Sequence, residues 1–106
     1  MNLADIMKQA GQMQAKLADV QEKLEHLFVQ GQAGNGLVKI TMTGKFAVRA
    51  VEIDPSLMQA GEHEILEDLM LTALGDAKAK AEVAAAEEMK SVTAGMPLPP
   101  GMKLPF

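Results

Sequence analysis

Few residues of this 106-residue chain have the types and spacing that chemistry needs. Glu62-His63-Glu64 sets two carboxylates around an imidazole, the inventory of a metal site or an acid/base pair. Helical metal ligands need one-turn spacing, as in HExxH, and successive residues at a helix start point in different directions. The two acids therefore read as complements to the positive end of a helix dipole, and His26 as a cation at a helix C-terminus. Gly31, Gly34 and Gly36 resemble a phosphate loop only loosely, because they follow a helix and precede a strand. That order reverses the strand–loop–helix arrangement that aims amides at phosphate, so tight backbone turns are the simpler reading. Arg49 falls on the apolar face of a predicted strand, where it reads as a core-edge residue paired with a carboxylate rather than as a phosphate ligand. No set here makes a catalytic or metal site, and the sequence implies no enzyme, no cofactor and no small-molecule substrate.

One pattern does suit binding. Lys16 and Lys23 share one edge of a helix with Gln9, and Lys8 stands beside them. Lys and Gln along an exposed edge fit phosphate contact without base reading. The competing reading is a solvated face in which Asp19 pairs with Lys23 at i,i+4.

The helix that carries this edge has an uninterrupted heptad seam. Leu3, Ile6, Ala10, Met13, Leu17, Val20, Leu24 and Leu27 follow at alternating gaps of 3 and 4, with Leu3, Ala10, Leu17 and Leu24 at a and the others at d. Asn2 is a good N-cap, and the helix should end near Leu27 or Phe28. At ~1.5 Å per residue it is roughly 37 Å long, against a radius of gyration of about 13 Å for a compact chain of this size. The seam nearest Leu27 can cover the chain's own sheet. The distal residues Leu3, Ile6, Ala10, Met13 and Leu17 imply a dimer or a partner.

Beyond the Gly-rich stretch, Val38, Ile40 and Met42 alternate with polar residues, and Gly44-Lys45 suits a two-residue turn. Pairing Thr43 with Phe46 then sets Val38 opposite Val51 and Ile40 opposite Arg49. A short strand near 28–33 completes a sheet of about three strands. Asp54-Pro55 predicts one capped helical turn that Gly61 stops. A second long helix should run from about Glu62 to Val92, with Leu66, Leu69, Met70, Ala73, Ala77, Ala81 and Ala84 as its packing stripe. Gly75 interrupts that helix, which predicts a bend or an unusually close neighbour. Gly95 ends it, leaving one α+β domain over 1–95 and an apolar, Pro-rich extended tail over 96–106 that is expected to dock on the folded body.

The chain has no Cys, Trp or Tyr and nine Met, so disulfides and thiolate zinc sites are excluded and the core must be aliphatic. No signal-peptide pattern or apolar span is visible, which suits a cytoplasmic protein away from membranes. The net charge of −4 argues against nucleic acid only until its distribution is considered: residues 29–51 sum to +3 and residues 52–68 to −6. Charges beyond a Debye length of ~8 Å are screened, so a cationic surface survives a negative total. Lys39, Lys45 and Arg49 form a second basic patch, on the sheet.

Lys8-Gln9-Ala10 with Met13-Gln14, the run Ala33-Gly34-Asn35-Gly36-Leu37-Val38-Lys39-Ile40-Thr41, Ile53-Asp54-Pro55-Ser56-Leu57, Leu66-Glu67-Asp68-Leu69 with Asp76-Ala77, and the ending from Gly95 to Phe106 together resemble the YbaB/EbfC family of bacterial nucleoid-associated proteins. The resemblance runs from end to end. Gly75 departs from it where Asn is usual, as does Val29-Gln30-Gly31-Gln32 where an acid is common. It implies a tweezer-like homodimer that binds double-stranded DNA with little sequence specificity in the nucleoid. The contacts it implies lie on projecting helices, at Lys8, Lys16 and Lys23 in the first and Lys78, Lys80 and Lys90 in the second. The rival class is an acidic dimeric chaperone or adaptor that holds a protein and has no nucleic-acid function.

Overall fold

A computed structural model describes residues 2–93. The first helix, α1 (Leu3–His26), starts where expected: the Asn2 side chain accepts the Ala4 N–H at 2.6 Å, and Asp5 lies in the first turn. Three antiparallel strands follow, β1 (Phe28–Ala33), β2 (Val38–Thr43) and β3 (Val48–Ile53), in the order β1-β2-β3. The loop between β1 and β2 turns through Gly34, Asn35 and Gly36, all with positive φ (63°, 57° and 91°), a region open to Gly and Asn at little cost. Asp54 caps a 3-10 turn, Pro55–Met58, and α2 (His63–Thr93) completes the described chain. The tail over 96–106, and the docking expected of it, lie outside the described residues.

The β2–β3 hairpin departs from the expected register. Val38 pairs with Ile53 and Ile40 with Val51, two residues beyond the predicted partners. The loop has three residues, Gly44-Lys45-Phe46, closed by the Thr43 N–H donating to the Ala47 carbonyl at 2.8 Å. Phe46 occupies the left-handed position (φ 69°) that glycine usually takes in such loops. Gly44 serves contact instead. Its N–H donates to the Leu24 and Leu27 carbonyls at the end of α1, both at 3.0 Å, and a Cβ there would lie 2.7 Å from Leu24 Cδ2. A bulge then sets Val48 opposite Met42, so Arg49 is exposed beside a bulge rather than placed at the core edge.

The core forms where α2 crosses β1 and β2. Ala73, Ala77 and Ala81 of α2 pack with Ala33, Val38, Ile40, Met42 and Leu57. Contact is closest at Gly31, where a Cβ would stand 2.3 Å from both the Ala73 carbonyl oxygen and the Ala77 nitrogen. The close neighbour predicted at Gly75 is therefore elsewhere: a Cβ on Gly75 meets nothing within 4 Å. The packing stripe continues through Ala85, Met89 and Val92 rather than Ala84. These residues have left the sheet and pack on Val20 and Leu24 of α1, with Met13 and Leu17 alongside. The seam thus covers the far end of α2, not its own sheet. The molecule is elongated, 70 × 27 × 16 Å with a radius of gyration of 19.4 Å.

Two glycines in one fold should respond oppositely to the same methyl group. Gly31→Ala forces α2 off β1 and is expected to cost about 3 kcal/mol. Gly75→Ala removes the penalty of an exposed helical glycine and should add about 1 kcal/mol. Thermal denaturation at matched protein concentration checks both.

Candidate nucleic-acid interface

The distal third of α1 is an arm. Leu3, Ile6 and Met7 are 73%, 47% and 66% exposed, and Ala10 is exposed as well. Packing against α2 begins only at Met13. About ten residues, or ~15 Å of helix, therefore stand clear of the described body. Lys8, Gln9 and Lys16 are exposed on this arm. Lys8 and Lys16 make no ion pair among the described residues. They lie eight residues apart, about 12 Å along the axis, and each presents a charge that no described carboxylate neutralises.

The remaining cations are differently employed. Lys23 does not pair with Asp19; its ammonium lies 4.0 Å from Glu88, because α2 runs back along α1 and supplies a carboxylate there. Lys78 is 4.0 Å from Glu82 and Lys90 3.1 Å from Glu87, both within α2. Lys80 is built into the fold, with its Nζ 3.0 Å from Asp76 and donating to the Gln30 carbonyl at 2.8 Å. Asp76 in turn accepts the Gln32 N–H at 3.0 Å. That hydrogen bond, and then Lys80, hold the Asp76 carboxyl below its usual range. The sequence does not reveal this role for Asp76. An i,i+4 Asp–Lys pair is visible in it, but the strand edge that the pair meets is not.

The sheet patch is weaker than its residue types suggest. Lys45 is bound to Glu25 at 3.0 Å, and this bond and charge lower the Glu25 pKa. Lys39 is half-buried and stands opposite Glu52 in the ladder. Arg49 is exposed and makes no ion pair among the described residues, contrary to the carboxylate pairing expected of it. The structure brings none of these three within an ion pair of the α1 lysines, so arm and sheet are separate surfaces.

A family model for the YbaB/EbfC DNA-binding family matches residues 1–96. The chain belongs to that family. It is 54% identical over 99 residues to a nucleoid-associated protein of Nitrobacter hamburgensis, covering 93% of each chain. A nucleoid-associated protein of Granulibacter bethesdensis is 54% identical over 105 residues, covering 99% of this chain and 98% of its own. The crystal structure of an uncharacterized Helicobacter pylori protein shares the fold, with a TM-score of 0.70 at 21% identity, covering 91% of this chain and 97% of that one.

For a chain of the YbaB/EbfC family, the other chemically capable residues have structural roles. Glu62 is half-buried at the start of α2, where its carbonyl accepts the Leu66 N–H, and His63 and Glu64 open the helix exposed. His26 lies in the last turn of α1, beside a shallow depression lined by Asp19, Glu22 and Lys23. Among the described residues no three His, Asp or Glu side chains converge on a common point that could hold a metal ion.

The lowered Asp76 pKa fixes the sign of a pH effect. The stability it supplies is complete above the ordinary value of 3.8 and is lost as pH falls through the depressed folded-state value. The difference in melting temperature between the wild type and Asp76→Asn should be flat from neutrality to about pH 5 and shrink below about pH 4. Melting curves across that range check it.

Proposed function

We propose that this chain is a nucleoid-associated protein that binds double-stranded DNA as a homodimer, its helical arms touching phosphates with little sequence specificity. The observation that carries the reading is the arm itself. It is a capped helix standing clear of its own core, with Lys8 and Lys16 unpaired among the described residues on a chain of the YbaB/EbfC DNA-binding family. An ammonium on an exposed helix can reach a phosphate and release its counterion without reading a base. Gln9, Lys16 and Lys23 extend the contact edge toward the body. Lys78 and Lys90, whose carboxylate partners are exposed neighbours on the same helix, can join once DNA competes for them. Lys80 acts through the fold rather than on DNA. Nucleoid location and an influence on nucleoid organisation and gene expression follow from such binding.

Two uncovered apolar surfaces support the homodimer. One is the distal seam of Leu3, Ile6 and Ala10. The other is β3, where Val48 and Val51 remain 47% and 44% exposed because α2 lies over β1 and β2 instead. Light scattering at micromolar concentration should give twice the 11.3 kDa chain mass. A folded monomer there would overturn the homodimer.

DNA binding is tested by charge reversal. Lys8→Glu with Lys16→Glu should weaken affinity for unrelated duplexes alike and make the log–log salt slope shallower by about 2 per protomer. Normal binding by that variant, with loss in Lys39→Glu/Arg49→Glu, would move DNA to the sheet. Salt-insensitive affinity in the wild type would favour a protein-holding module.

A further inference from the structure

The sheet has two outer edges, and the fold treats them differently. In the antiparallel pairing of β1 with β2, alternate residues of β1 turn their N–H and C=O groups away from β2. Such a row of outward groups is a template for another strand. On β1 these groups are occupied from α2. Asp76 accepts the outward N–H of Gln32 at 3.0 Å, Lys80 donates to the outward C=O of Gln30 at 2.8 Å, and the two side chains bind each other at 3.0 Å. No side chain among the described residues hydrogen-bonds the backbone of β3. That strand also carries Val48 and Val51, exposed on the side that α2 leaves bare.

We infer that Asp76 and Lys80 guard the β1 edge against strand addition, so that copies of this chain join through β3 alone and assembly stops at two. This rests on the homodimer proposed above and adds what limits it. A two-fold pair uses one edge of each copy and closes; a chain with both edges open can add copies without end. The guard needs the close seat of α2 on Gly31, since only a helix in backbone contact with the edge strand brings two short reaches of side chain around it. Hydrogen bonds to a carboxylate and an ammonium also outcompete a neutral incoming strand for the same groups.

The test is Asp76→Ala/Lys80→Ala in the full chain, followed by sedimentation velocity over a range of micromolar concentrations, with circular dichroism to confirm that the helices persist. The wild type should stay one species of twice the chain mass. The folded double variant should form larger species that grow with concentration, and its Gln32 amide should exchange with solvent about tenfold faster. Adding Gln32→Pro, which deletes the outward N–H and is tolerated at an edge, should return the size to that of the wild type. A folded double variant that stays dimeric throughout overturns the guard, as do large species that persist with Gln32→Pro. If the double variant unfolds, Lys80→Ala alone is read in the same way against the Gln30 carbonyl. A monomeric wild type would instead overturn the homodimer reading, and confinement to β3 would fall with it.

Discussion

The contact on which most of this structure depends is the seat of α2 on β1 at Gly31. Backbone meets backbone there, and only a residue without a side chain on the strand and alanines on the helix allow it. The consequences reach in three directions. Because α2 is pressed onto β1 and β2, β3 keeps its inward valines exposed. Because the helix is so near the edge, Asp76 and Lys80 can bond to the strand backbone around it. Because the same stripe continues past the sheet through Ala85, Met89 and Val92, α2 runs on to meet α1 and holds the arm at its base.

Charge is organised by the same geometry. The chain is acidic overall, yet its cations divide into those that hold structure and those left to the solvent. Lys80 and Lys45 tie elements together, to β1 and to the end of α1 respectively. Lys8 and Lys16 have no such task, and they lie on the part of α1 that nothing described covers. Exposed ion pairs contribute little to stability, so their absence on the arm costs the fold almost nothing and leaves the charge available to a polyanion. Neighbouring α1 acids, Asp5 and Asp19 among them, keep the arm from being a uniform cationic rod. This suits contacts at discrete phosphates rather than a broad attractive field.

Much of the fold was legible in the sequence because local physics dominates those parts. The 3–4 spacing of α1, the Asn2 cap, the period-two strands, the Gly34-Asn35-Gly36 turn and the Asp54-Pro55 cap each involve residues within a few positions of one another. The hairpin register was not legible. Gly44 announces a tight turn, but its glycine is required by Leu24, a residue twenty positions away. With that demand met, the chain closes a longer loop and accepts a left-handed Phe46. The mistaken weight on Gly75 has the same origin: a glycine in a helix signals close contact, but which glycine makes the contact depends on the element across from it.

The candidate site divides along the same line. The sequence alone determined a long amphipathic helix with more apolar seam than one small domain can cover, a Lys/Gln edge along it, and the family motifs. Each of these is a matter of residue type and spacing. Only the tertiary structure decided which lysines are free. Lys80 and Lys16 are equivalent in composition and both exposed on helices, yet one is bonded to a strand carbonyl fifty residues away and the other to no described residue. Whether a side chain is occupied depends on what folding brings within 3 or 4 Å of it, a long-range fact that no local pattern encodes.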